Sequence, residues 1–259
     1  MRIASLQLEV PDHETRSDRL RRVTSMIAEL PEADLILLPE IWTVGYFSFD
    51  RYAPDAEMLS GETAVAMSEA ARRKGAYLLA GSLVEADGEH LYNTSLFFDR
   101  NGELLATYRK IHLFGYGSAE TRILTPGSQV VTAKTEFGTV GISTCYDLRF
   151  PELYRAQVEQ GAEFLLVVSA WPYPRLHHWI PLNQVRAIEN QAYLISCNCA
   201  GINQGKQYLG HSMVVDPWGA TVAAGNERPA VITATVDPGL VRSCRAEFPP
   251  LQDRVLRSR

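Results

Sequence analysis

Hydrophobic and polar positions divide the chain into short apolar runs separated by stretches of helical period. Residues 3–10 form a strand-like run, closed by Pro11-Asp12. Between residues 13 and 30 the apolar positions Leu20, Val23, Met26, Ile27 and Leu30 recur with charges between them, the period of a helix lying on a core. Asp34-Leu35-Ile36-Leu37-Leu38-Pro39 is apolar without alternation, which predicts a strand covered on both faces and ending at Glu40. A second helix is predicted over residues 62–74, stopped by Gly75. Strands follow over 77–84, 91–98 and 104–108, with Asp87-Gly88 and Asn101-Gly102 as hairpin turns.

Residues 111–128 read as a Gly-bearing loop, and 130–133 and 139–144 as strands around a tight turn at Phe137-Gly138. Pro151 opens a helix over 151–160, with Gly161 just past its end. Residues 164–168 form another buried strand, 179–191 a helix, 193–198 and 212–215 strands, and Asp216-Pro217-Trp218-Gly219 a turn. A last strand is predicted over 230–236, before a charged tail over 238–259. Strands alternate with helices in both halves, with hairpins between, and no linker or repeat intervenes. The expected architecture is one α/β domain over residues 1–259, with its core in 1–237, in which parallel and antiparallel pairings mix in layered sheets.

Composition narrows the functions open to such a domain. The 259 residues are 46% hydrophobic and 21% charged, enough for a sizeable core. Net charge is -5 and Lys and Arg are scattered, which argues against a nucleic-acid partner. Four cysteines are too few for a disulfide framework in a chain this long. Cys197-x-Cys199 falls on one strand, a poor start for a zinc site, and no metal is expected. The opening Met1-Arg2-Ile3-Ala4-Ser5-Leu6 is already strand-like, and no apolar run reaches membrane-spanning length. The expectation is a cytoplasmic protein with no membrane partner.

Three reactive groups sit where strand patterns stop: Glu40, Lys110 and Cys145. Singly, each has an ordinary reading. A lone cysteine is by default a small core residue, and Glu40 or Lys110 alone is a solvated loop or strand-end charge. Ligands in open α/β sheets bind beyond the carboxyl ends of strands, so three such termini can share a cleft. Together they would split an amide. Glu40 takes the thiol proton, and Lys110 with a backbone N–H after Cys145 holds the oxyanion. A nearby lysine is also expected to favour the thiolate of Cys145. The histidine alternatives are weaker. His112 would share a face with Lys110 and only support it, the His177-His178 pair reads as loop or cleft rim, and these with His211 have no metal-ligand spacing.

Taken together, Leu38-Pro39-Glu40, Tyr108-Arg109-Lys110-Ile111-His112-Leu113-Phe114 and Cys145-Tyr146-Asp147-Leu148-Arg149-Phe150-Pro151-Glu152 resemble the nitrilase (carbon–nitrogen hydrolase) superfamily. Trp171-Pro172 with Arg175 and His178-Trp179, Arg186-Ala187-Ile188-Glu189-Asn190-Gln191-Ala192-Tyr193, Gly210 with Ser212, and Asp216-Pro217-Trp218-Gly219 extend the likeness to about residue 237. The resemblance implies a four-layer α-β-β-α sandwich of mixed sheets and a catalytic set of Glu40 as base, Lys110 as stabilising cation and Cys145 as nucleophile. It adds Glu120 as a further glutamate, and a thioester route that needs no cofactor. The residues after the cysteine resemble the omega-amidase and deaminated glutathione amidase branches, and Trp171-Pro172-x-Pro174-Arg175, Cys197-Asn198 and the Glu247-Phe248-Pro249 tail look most like bacterial omega-amidases, which hydrolyse the terminal amide of keto acids such as 2-oxoglutaramate. Deaminated glutathione amidase, an N-carbamoyl amine hydrolase and a catalytically silent binding member are the alternatives. A distal substrate carboxylate calls for a cation, for which Arg149 and Arg175 are candidates. Tyr46 and Tyr146 complete the expected substrate-binding set. The resemblance also implies a homodimer or larger even homo-oligomer, built on the segments around 151–160 and 176–190 with the C-terminal tail crossing over.

Overall fold

In the computed structural model, which describes residues 1–256, the chain lays down β1 (Arg2–Gln7), α1 (Arg16–Glu29) and β2 (Leu35–Leu37) as one right-handed unit of strand, helix and parallel strand. Thr15 and Asp18 cap α1 reciprocally, each side chain accepting from the other's backbone N–H. Then come α2 (Glu62–Lys74), β3 (Tyr77–Asp87), β4 (His90–Phe98) and β5 (Leu104–Arg109). Gly75 ends α2 with φ +63°, a conformation glycine adopts without strain. A one-turn α3 (Glu120–Ile123) leads into β6 (Thr132–Thr135) and β7 (Gly138–Thr144). The second half continues through α4 (Pro151–Glu159), β8 (Phe164–Ser169), α5 (Leu176–Asn190) and β9 (Tyr193–Asn198). A small hairpin of β10 (Ile202–Asn203) and β11 (Lys206–Gln207) precedes β12 (Met213–Val215), β13 (Thr221–Ala224), β14 (Ala230–Thr235) and α6 (Gly239–Glu247).

Two six-stranded mixed sheets result, ordered β14-β1-β2-β3-β4-β5 and β13-β12-β9-β8-β7-β6. Each contains a parallel trio, β1-β2-β3 or β7-β8-β9, flanked by antiparallel strands. Strand alternation sends successive side chains to opposite faces. Ile3, Leu35, Leu37 and Leu79 therefore join Val140, Ile142, Leu166 and Val168 of the other sheet in one buried cluster. Ala4, Ile36 and Leu78, one residue out of step, pack with Leu20, Val23, Ile27, Met67 and Ala71 of α1 and α2. On the far side, Leu153 and Tyr154 of α4 and Trp179 and Ala187 of α5 cover the second sheet. This is the expected α-β-β-α sandwich.

Differences from the sequence reading have local causes. The tail is not simply loose: Val241 and Cys244, three apart, are buried on α6, and Arg245 donates to the carbonyls of Gln191, Asn190 and Ala162. Its last residues, 257–259, lie outside the described residues. The 111–128 loop holds α3, and helix α5 starts at Leu176, ahead of the expected 179. Strands β10, β11 and β13 are short and mostly exposed, so no apolar run announces them. Among the described residues no helix is long and apolar enough to cross a membrane.

Candidate active site

Glu40 stands at the end of β2, where the chain turns between the two sheets. The turn needs room that a bulge in β3 provides. A Cβ at Gly81, where φ is +68°, would lie 2.0 Å from the Pro39 carbonyl oxygen. Glycine there lets β3 pass under the turn, and pairing with β4 shifts register between Leu79 and Ser82. Ser82 Oγ then accepts from Ile41 N (3.0 Å), and Trp42 Nε1 donates to the Ala80 carbonyl (2.9 Å). From the opposite sheet, Ala170 N donates to Glu40 Oε2 at 2.8 Å.

Lys110 follows β5 directly. Its backbone N donates to the Asn93 carbonyl and its own carbonyl accepts from Gly127 N. A Cβ at Gly127 would meet the Arg109 carbonyl oxygen at 2.1 Å, so the return strand can approach this closely only as glycine. Lys110 Nζ donates to Glu40 Oε1 (2.8 Å) and to Glu120 Oε1 and Oε2 (2.9 and 3.0 Å). The lysine and both glutamate side chains are 0% exposed. Glu120, at the start of α3, also accepts from Tyr46 OH (3.0 Å), Phe114 N (2.7 Å) and Asn93 Nδ2 (3.2 Å). Burial alone would lower the Lys110 pKa, but the Glu120 and Glu40 carboxylates outweigh it and hold the ammonium charged. Burial raises Glu40 above the ordinary carboxylate range, with Lys110 opposing and Glu120 reinforcing the shift.

Cys145 ends β7 and begins a helical turn over Cys145–Arg149. Its φ is +50°, a left-handed conformation that is strained for a side-chain-bearing residue and turns the thiol out of the strand. The turn is clamped by Asp147, which is buried. Its Oδ2 accepts from Thr144 N (2.9 Å) and Tyr108 OH (2.6 Å), and its Oδ1 lies 3.0 Å from His112 N and 2.7 Å from His112 Nδ1. The His112 ring in turn stacks on Phe150 at 3.8 Å. The Cys145 thiol lies close enough to the Glu40 carboxylate for each to shift the other. Burial and then the Glu40 carboxylate push its pKa well up, and Lys110 counters only part of this. Lys110 does favour the thiolate, as expected, but burial and Glu40 together outweigh it. With its pKa raised, the thiol form of Cys145 is favoured, and a nearby base such as Glu40 could take its proton.

The thiol opens into a pocket lined by Tyr46, Phe114, Tyr146, Arg149, Trp171 and Arg175, with about 290 Å³ of empty space counted to its mouth. Tyr46, Tyr146, Arg149 and Arg175, the four residues expected to bind substrate, line it together, joined by Phe114 and Trp171 and with Lys110 and Glu120 behind. The Arg149 guanidinium lies over the Trp171 ring (4.7 Å) and 3.2 Å from His178 Nδ1; that of Arg175 lies over Phe114 (5.4 Å). Among the described residues neither arginine is in a salt bridge. Desolvation lowers the Arg149 pKa, a mark of a cation held partly out of water without an anion. His177 and His211 do not line the pocket. Among the described residues no group of three or more His, Cys, Asp or Glu has the form of a metal site.

Sequence reasoning missed the supporting contacts of Asn93, Asp147 and Tyr108. The signal was a polar side chain inside an otherwise apolar strand pattern, as at Asn93 within Leu91-Tyr92-Asn93-Thr94-Ser95-Leu96, which a folded core tolerates only when partners wait for it.

The carbon-nitrogen hydrolase family profile matches residues 2–246. A 2-oxoglutaramate amidase of Paenarthrobacter nicotinovorans is 38% identical over 260 residues, covering 97% of this chain and 88% of that protein. A 2-oxoglutaramate amidase of Bacillus subtilis is 32% identical, covering 97% and 96%. In structure, Nit3 of Saccharomyces cerevisiae, a member of branch 10 of the nitrilase superfamily, superposes with a TM-score of 0.90 at 31% identity, over 99% of this chain and 97% of that one. With its two mixed sheets, its buried glutamates and lysine and its strained cysteine, the chain belongs to the carbon–nitrogen hydrolase family.

Proposed function

We propose that this chain is an omega-amidase, releasing ammonia from the terminal amide of a small keto-acid amide such as 2-oxoglutaramate. The observation that carries the reading is the buried cluster of Glu40, Lys110 and Glu120 set directly behind the Cys145 thiol. Glu40 takes the Cys145 proton as sulfur attacks the amide carbon, so the C–S bond forms and the carbonyl becomes an oxyanion. The Lys110 ammonium and the backbone N–H after Cys145 stabilise that charge. The oxyanion collapses, the C–N bond breaks, and Glu40 returns the proton to the departing nitrogen. Ammonia leaves a thioester. Glu40 then takes a proton from water, hydroxide adds to the thioester carbon, and Cys145 departs with that proton to yield the acid. Glu120 holds Lys110 in place throughout.

Two guanidinium groups without anionic partners in the pocket support a substrate that carries its own carboxylate. The two 2-oxoglutaramate amidases among its relatives support the same class. Ammonia release from 2-oxoglutaramate, succinamate, glutaramate and a carbamoyl amine tests the proposal, with Cys145→Ala as control. Release from the keto-acid amide, lost in Cys145→Ala, is expected. No release from any amide by folded protein would leave a silent binding member, release from the carbamoyl amine alone would move the chain to that branch, and full activity of Cys145→Ala would sink the mechanism.

The enzyme is also proposed to act as a homodimer or larger even assembly through α5. Val185 and Ile188 on that helix are exposed, the Trp218-Gly219 turn abuts Ile188, and Phe248 lies exposed where Gln191 meets its carbonyl. Such a contiguous apolar patch fits a subunit interface. All four cysteines are unpaired, which fits the reducing cytoplasm.

A further inference from the structure

One non-titratable side chain touches both carboxylates of the buried cluster. Asn93 lies within β4, paired with Val84 of β3, and is 1% exposed. Its Nδ2 donates to Glu40 Oε1 at 2.8 Å and to Glu120 Oε1 at 3.2 Å. The two hydrogens of one amide nitrogen thus go to two different glutamates. Its backbone carbonyl accepts from Lys110 N at 2.9 Å, so the same residue also fixes where the lysine starts. Its Oδ1 is buried and has no partner among the described residues. Turned the other way, that oxygen would face two carboxylate oxygens, which explains the orientation. A side chain retained for packing alone would not leave a buried acceptor orphaned, because that is destabilising.

The charges explain what the amide does. Glu40 and Glu120 lean on a single ammonium, and two carboxylates so close tend to keep one proton between them. Facing Glu40 are Lys110 beyond β5, Glu120 on α3, Tyr46 on the segment after β2, Cys145 at the end of β7, the Ala170 N–H beyond β8 and Cys199 beyond β9. Of these, Lys110 is the one cation and it is shared. A neutral donor reaching both carboxylates favours the ionised form of Glu40, which burial and Glu120 disfavour. It does so without a second positive charge that would hold the base too tightly to work.

We propose that Asn93 is a positioning residue that keeps Glu40 ionised beside Glu120 and thereby sets the pH at which Glu40 can accept the Cys145 proton. This rests on the reading of Glu40 as the base for Cys145. The test compares Asn93→Asp, equal in size but without the donor hydrogens, and Asn93→Ser, which keeps one hydroxyl donor and adds no charge. Two readouts are taken against pH in each folded variant: kcat and KM for 2-oxoglutaramate, and the rate of Cys145 alkylation by iodoacetamide, with Cys145→Ala as blank. Lost hydrogen bonds to a charged group predict a fall in kcat of about ten- to a hundredfold at neutral pH and an acid limb moved up by about one pH unit. KM should change less than kcat, and Asn93→Ser should fall between wild type and Asn93→Asp. An acid limb that stays in place in both readouts, whatever happens to kcat, would make Asn93 a packing residue and overturn the proposal. If Asn93→Asp does not fold, Asn93→Ser decides by the same limb. If wild type turns over no amide, the substrate reading fails while the alkylation profiles still decide the role of Asn93.

Discussion

Replacing Lys110 by methionine removes the one cation between two buried carboxylates while keeping the side chain's length. In the wild type Nζ makes three contacts of 2.8–3.0 Å to Glu40 and Glu120, all of them fully buried. Breaking a buried ion pair by deleting one partner typically destabilises by about 3–5 kcal/mol, because the remaining charge is left without compensation. Here two charges of one sign remain, so the upper end applies, against a total stability on the order of 5–15 kcal/mol. The sign of the pH dependence follows from linkage. Without the ammonium, desolvation and repulsion from Glu120 raise the folded-state pKa of Glu40 further above its unfolded value. The folded variant then binds more protons than the unfolded chain, so its stability is greatest at low pH and is lost as pH rises through the raised pKa. Urea unfolding of Lys110→Met and wild type at pH 5.5 and pH 8, followed by tryptophan fluorescence, reads this directly. The deficit relative to wild type should be several kcal/mol at pH 8 and clearly smaller at pH 5.5, and adding Glu120→Gln should recover part of it. A deficit under about 1 kcal/mol at pH 8, the range of an exposed pair, or one equal at both pH values, would refute the account of a buried, cation-dependent cluster.

Gly81→Ala would place a Cβ 2.0 Å from the Pro39 carbonyl at a positive φ, so the turn carrying Glu40 must shift; activity should fall at least tenfold with a lowered thermal midpoint, and an active, equally stable variant would contradict the bulge as its support. Because burial raises Glu40, the acid limb of wild-type kcat/KM against pH should lie above the ordinary glutamate value of about 4.3; a limb at or below that value would speak against Glu40 as the base. Arg149→Gln should raise KM for carboxylate-bearing amides about tenfold or more, as expected for a lost charge-assisted contact, while leaving a neutral amide such as butyramide little changed; equal effects on both would remove Arg149 from carboxylate recognition.

Much of this site was legible before any coordinates. Glu40, Lys110 and Cys145 each follow a strand pattern, and ligands gather beyond the carboxyl ends of strands, here of β2 and β5 in one sheet and β7 in the other. The supporting residues were less legible for a definite reason. Asn93 and Asp147 act through partners 53 and 39 residues away, at Glu40 and Tyr108; a sequence window marks at most a polar residue in an apolar run and cannot say which partner meets it. Likewise α6 hides its two inward positions, Val241 and Cys244, in a polar segment.

The sequence by itself determined the alternation of strands and helices, the apolar strand cores, and which reactive side chains stand at strand ends. Periodicity and turn chemistry act over a few residues and need no fold to be read. Only the tertiary structure decided the protonation of the site. Facing the two sheets buries Glu40, Lys110 and Glu120 together, and removing water raises Glu40 and the Cys145 thiol, while the neighbouring carboxylates keep the Lys110 ammonium charged. Tertiary packing also placed Asn93 between the two glutamates and set the arginines of the pocket without anions, because both outcomes depend on which distant segments meet.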